Sequence, residues 1–117
     1  MSGFYPGRPP VDAYGNGGFR FAGMSHLGSI LLLPSGVHGW DGTDVSAILA
    51  EREAIGLFIL GTGKTMVRPP RALREAFDRA GIQLDYMATG YAVSTYNLLL
   101  AEKRQVAAGL IAVADAS

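Results

Sequence analysis

The chain has 117 residues, with ten Lys plus Arg against ten Asp plus Glu and 49% apolar residues. That length fits one domain around one hydrophobic core, and zero net charge argues against a global electrostatic grip on nucleic acid or an anionic membrane. The absence of cysteine excludes disulfides, thiol nucleophiles, iron–sulfur clusters and cysteine-based zinc sites, and two histidines leave little material for any metal centre.

Residues 1–10 are rich in glycine and proline and read as a flexible lead-in to a single domain over 11–117. They do not have the make-up of a signal peptide. Val11 to Tyr14 reads as a short strand. Gly15-Asn16-Gly17-Gly18 follows, and Asn-Gly supplies the positive φ angles of a tight hairpin turn. Phe19-Arg20-Phe21 alternates as a half-buried strand does. Gly23 to Gly28 reads as a second turn region. Ser29 to Leu33 is a continuous aliphatic run that Pro34 ends.

The middle of the chain changes character. Thr43 or Asp44 is placed to cap a helix whose Val45, Ile48 and Leu49 share a face. Gly56 to Leu60 has the uninterrupted apolar make-up of a strand buried on both sides. Gly61-Thr62-Gly63 follows it directly. Pro69 and Pro70 pre-set a helix start. Leu73, Ala76, Phe77 and Ala80 recur at helical spacing, and Gly81 is the expected left-handed cap. Ile82 to Tyr86 is the next predicted strand. Thr89 or its neighbour opens a longer helix to about Arg104, and Val106 to Val113 is a final aliphatic strand. From Asp41 onward helix and strand alternate three times. The expected fold is therefore α/β, a layered, largely parallel sheet with helices packed on its faces, and the N-terminal strands either add to that sheet or form a small ribbon beside it.

Chemistry is thinly written in these residues. Gly61-Thr62-Gly63-Lys64-Thr65 matches the tail of a phosphate-binding loop. The full motif needs a glycine where Phe58 stands, inside the strand, and the helix starts too late. A weaker reading survives, because glycines after a buried strand sit at the carboxyl edge of the sheet, where α/β folds place ligands. The Thr89 helix start lies on the same edge in a parallel arrangement, and its free N–H groups favour an anion. The candidate pocket is therefore Gly61, Thr62, Gly63, Lys64, Arg68, Thr89 and Asn97, the last a polar residue among leucines that needs partners if buried. Lys64 to Arg79 carries five cations against two acids, whereas Asp41 to Glu53 carries four acids and one base. Arg71 and Arg74, in that basic stretch, and Trp40, a core plug or an interface anchor, are the candidate interface residues. His26 and His38 lie in turn-rich segments without a paired carboxylate. Ser35 lacks the glycine framing of a nucleophile elbow, so no catalytic set is expected. Tyr14, Phe19 and Phe21 alternate as core residues rather than as a base-stacking platform.

Four stretches taken together carry a resemblance. They are Tyr14-Gly15-Asn16-Gly17-Gly18-Phe19-Arg20-Phe21, Gly28-Ser29-Ile30-Leu31-Leu32-Leu33-Pro34, Leu60-Gly61-Thr62-Gly63, and Met87-Ala88-Thr89 with Ala92 and Thr95-Tyr96-Asn97-Leu98-Leu99. Their order and spacing resembles the small α/β family that includes mitochondrial complex I assembly factor three and the adipogenesis-associated domain protein. The resemblance implies a three-layer fold with a five-stranded mixed sheet and an extra ribbon. It also implies no established catalytic activity, no cofactor, and contacts with protein partners, respiratory NADH dehydrogenase subunits or assembly proteins among them. The expectation is a bacterial, cytoplasmic interaction or assembly factor, without nucleic acid or stable membrane insertion and compatible with a homo-oligomer. The alternative is a small-molecule or anion-binding protein, an enzyme included, that uses the pocket between Gly61–Gly63 and Thr89.

Overall fold

The computed structural model describes residues 4–114. Two short hairpins begin the domain. Strands β2 (Ala13–Gly15) and β3 (Gly18–Phe21) are joined by Asn16 and Gly17, whose φ angles of 53° and 79° are the positive pair that a two-residue hairpin turn requires. Ala22 and Gly23, at 50° and 75°, make the same kind of turn into β4 (Met24–Leu27). The expected turn region at Gly23–Gly28 is thus a strand between two glycines. Its four residues pair with β3, which outweighs their weak intrinsic strand preference.

The main sheet has the order β1-β6-β5-β9-β7-β8. Its members are β1 (Phe4–Tyr5), β5 (Ser29–Leu33), β6 (Gly36–Trp40), β7 (Leu57–Gly61), β8 (Gln83–Met87) and β9 (Val106–Leu110). Five strands of five residues make its body, with the two-residue β1 on one edge. The sheet is mixed. Its parallel part is narrower than expected, because only β9, β7 and β8 run parallel while β5 and β6 join antiparallel. β6 is invisible to pattern reading, since its two glycines and His38 hide a strand that exists by pairing with β5. The lead-in is partly built into the fold as well. Its residues 1–3 lie outside the described residues, but β1 pairs with β6 and Arg8 donates a hydrogen bond to the carbonyl of Val106.

Alternation along the strands divides the core in two. Ile30, Leu32, Ile59, Val106, Ala108 and Leu110 face one side, where α3 (Thr89–Ala101) and the three-stranded ribbon cover them through Ala92, Val93, Tyr96, Phe19 and Phe21. Leu31, Leu33, Phe58, Leu60 and Ala107 face the other side, under α1 (Ser46–Ala50) and α2 (Arg71–Ala80), which contribute Ile48 and Phe77. The result is the expected three layers. The chain steps from β7 outward to β8 and then back past β7 to β9. Right-handed crossovers in opposite directions put their helices on opposite faces, which is why α2 and α3 flank the sheet.

Local chemistry sets the helix ends. Gly81 ends α2 at φ 75°, as its position predicts. The start of α1 differs from expectation, with Val45 at the cap position and no side-chain cap bond. Asp41 Oδ1 instead accepts the N–H groups of Thr43 and Asp44, both at 2.8 Å, and Asp44 Oδ1 accepts that of Ser46 at 2.9 Å. The carboxylates organise the turn before the helix rather than its first residue. These two backbone N–H groups, Asp44 first, hold the Asp41 carboxyl below its ordinary range.

Candidate functional site

The carboxyl ends of β7 and β8 meet where the chain reverses its direction across the sheet. That is the place at which open α/β sheets bind ligands. The fold brings Gly61, Thr62, Gly63 and Thr89 together there. Thr89 is fully buried. Its Oγ1 accepts the N–H of Gly63 at 2.9 Å and donates to the carbonyl of Ile111 at 2.8 Å, while its own N–H donates to the carbonyl of Gly63 at 2.8 Å. Thr62 N–H donates to Met87 O at 2.8 Å, and Thr62 Oγ1 donates to Thr65 O and accepts from Val67 N–H. Ile111 N–H donates to Gly61 O at 2.9 Å. These polar groups stitch three sheet ends together.

Glycine is required at the centre of this stitch. A Cβ on Gly61 would stand 3.0 Å from Thr89 Oγ1, 3.0 Å from Leu110 Cδ2 and 3.1 Å from Ala92 Cβ. Gly63 has φ +103°, which disfavours any side chain. Thr89 is the first residue of α3 rather than its cap, a position held by Ala88. Its hydroxyl serves a neighbouring loop instead of its own helix. Lys64 and Arg68 are exposed beside the stitch, and the chain stays irregular until α2 begins at Arg71. The lysine therefore does not open a helix, as a phosphate-binding loop needs.

Asn97 lies elsewhere. Its Oδ1 accepts Val11 N–H at 2.9 Å and its Nδ2 donates to Val11 O at 2.8 Å, so the side chain imitates a strand partner and fastens the N-terminal segment to α3. Tyr96, one residue earlier, is buried. That burial pushes its phenol up, against the opposing pull of Arg8.

The candidate interface residues also divide. Trp40 is half-buried, donates from Nε1 to Asp44 O at 2.8 Å, and covers Gly109, where a Cβ would come within 2.7 Å of the indole ring. Arg71 is exposed and paired with Glu75 at 2.9 Å, and Arg74 Nε reaches Pro69 O at 3.2 Å. Phe19 and Phe21 are core residues, as their alternation predicts.

One polar cluster has no signal in the spacing of its members. Glu51 accepts both the N–H and the hydroxyl of Ser35, at 2.9 and 2.6 Å, and His38 Nε2 lies 2.9 Å from the same hydroxyl. In a catalytic triad the carboxylate orients the histidine, and the histidine takes the serine proton. Here the carboxylate takes the serine hydrogen itself. The cluster clasps the β5–β6 turn to the end of α1. Among the described residues there is no group of three His, Asp or Glu placed to hold a metal ion, and no helix long and apolar enough to cross a membrane.

These layers, with a ribbon packed on the α3 face and a carboxyl edge closed by Thr89, define a three-layer α/β sandwich of the mixed-sheet class. Within that class, the chain belongs to the family described as "Protein of unknown function (DUF498/DUF598)", which it matches over residues 11–111. A similar chain is an uncharacterised protein of Rhodobacter capsulatus, 33% identical over 108 residues and covering 92% of this chain and 87% of that one. The NADH dehydrogenase [ubiquinone] 1 alpha subcomplex assembly factor 3 of Danio rerio is 30% identical over 109 residues, covering 86% of this chain, which spans 63% of that protein. Among solved structures, a Bartonella henselae protein described as an outer membrane protein superposes with a TM-score of 0.90 at 51% identity, over 93% of this chain and 98% of that one.

Proposed function

We propose that the chain is a protein-interaction module that works as an assembly factor, with the respiratory NADH dehydrogenase as the complex whose subunits or assembly proteins it holds. The observation that carries this reading is the likeness to the zebrafish assembly factor across most of the chain. The geometry of the carboxyl edge supports it by weakening the alternative. The Gly63 N–H and the Thr89 hydroxyl, which an anion pocket would use, are already each other's partners. The role needs binding surfaces rather than a reacting group. We place the chain in the cytoplasm.

The test is capture of the tagged, crosslinked chain from its native cells with quantitative mass spectrometry. The reading predicts enrichment of NADH dehydrogenase subunits or their assembly proteins over a tag-only control. Repeated captures that enrich none of them overturn it.

A further inference from the structure

Strand β8 ends the main sheet, and among the described residues no strand lies beyond it. In its parallel ladder with β7, Gln83 N–H donates to Gly56 O and Met87 O accepts Thr62 N–H. Backbone groups alternate in direction along a strand, so Gln83, Asp85 and Met87 turn toward β7. The N–H and C=O of Leu84 and Tyr86 turn outward. A strand edge of this kind is a template for another chain unless it is blunted. β8 is five residues long and carries neither proline nor lysine. The opposite edge of the sheet, β1, has two residues.

A groove of about 390 Å³ lies between α2 and this edge. Phe77, Ile82, Leu84 and Tyr86 supply its apolar lining. Its charged lining is Arg74, Glu75 and Asp78. Arg74 is engaged by the Pro69 carbonyl and Glu75 by Arg71. On the other face of β8 stands Asp85, half-buried at the middle of the edge, and among the described residues no cation pairs with it.

We infer that β8 takes up an extended segment of a protein partner as a seventh strand, with a basic residue of that segment opposite Asp85 and apolar residues against Leu84 and Tyr86. Main-chain bonds from Leu84 and Tyr86 supply affinity, and alternate side chains supply selectivity. A second copy of this chain is the poorer occupant. Pairing two β8 strands antiparallel about their centre sets Asp85 directly opposite its own copy, and like charges in that position repel. The inference rests on the protein-interaction reading and adds the surface and the partner's chemistry.

The experiment uses two synthetic eight-residue peptides, one alternating valine with lysine and one alternating valine with glutamate, titrated into the labelled full chain. With the lysine peptide, the amides of Leu84 and Tyr86 shift and gain protection from hydrogen exchange. The glutamate peptide binds at least tenfold more weakly, and Asp85→Lys reverses the order. No shift at those amides, equal binding of both peptides, or protection that instead tracks chain concentration through self-association overturns the inference. Tyr86→Pro removes one outward donor at an edge position, where proline is tolerated, and its fold is checked by circular dichroism. If the folded variant still captures the NADH dehydrogenase proteins that the unaltered chain captures, strand addition fails while the assembly reading stands. If the unaltered chain captures none, the assembly reading fails first.

Discussion

The Thr89 hydroxyl joins the loop after β7 to the segment after β9, and its backbone N–H holds the same loop a second time. Its removal leaves a buried donor at Gly63 and an unfilled acceptor at Ile111. Thr89→Val keeps the shape and should cost about 2 kcal/mol or more, because orphaned buried groups each carry a penalty of about 1–3 kcal/mol. Thr89→Ser keeps the hydroxyl and loses only a methyl group, for about 1 kcal/mol. Urea denaturation of both variants checks the order. A loss in Thr89→Val no larger than that in Thr89→Ser would mean that the hydroxyl holds the edge no more than the methyl group does. Asp41 makes a pH-dependent contribution. Its folded carboxyl titrates below the ordinary value of 3.8 because two backbone N–H groups stabilise the charged form. Stability from this charge is present above pH 3.8 and is lost as pH falls through the lower folded value. The denaturation midpoints of the native chain and Asp41→Asn should therefore differ at pH 6, and the difference should shrink as the pH falls below 3.8 toward the lowered folded value.

At the scale of elements, the predicted strands and helices from Ser29 to Leu110 occur close to where periodicity places them. Hydrophobic runs such as Leu57-Phe58-Ile59-Leu60 and punctuation such as Gly81 are local signals. β4 and β6 are not legible, because Met24-Ser25-His26-Leu27 and Gly36-Val37-His38-Gly39-Trp40 become strands through pairing across the sheet. The site was half legible. Gly61–Gly63 and Thr89 could be placed on one edge from topology, but whether their polar groups face a ligand or each other depends on a hydrogen bond spanning 26 residues. Asn97 shows the same limit, since its partner Val11 is 86 residues away. The contact between β9 and β6 gives an element-scale prediction. Gly109→Ala pushes a methyl group into Trp40 and Phe58, at 2.7 and 2.9 Å, and should destabilise by about 1–3 kcal/mol through overpacking. Trp40→Leu in the same chain should recover part of that loss. Additive losses in the double variant, read by thermal melts, would show that the two residues do not share the space.

At the scale of the whole molecule, both faces of the sheet are covered and the carboxyl edge is tied shut. Its open features are the β8 edge, the cations of the loop before α2, and exposed apolar residues such as Met66, Val67, Tyr91 and Leu98. Tyr and Met are enriched in protein interfaces, and a neutral chain with such a surface is suited to holding another protein. The family relationship extends to a zebrafish protein that is an assembly factor, and this chain spans less than two thirds of it. The most direct measurement removes the chain from its native cells and resolves membrane complexes on native gels. The account predicts that fully assembled NADH dehydrogenase falls and smaller subassemblies accumulate, with recovery when the chain is supplied again. Unchanged amounts of the complete complex, with no subassemblies, would contradict it.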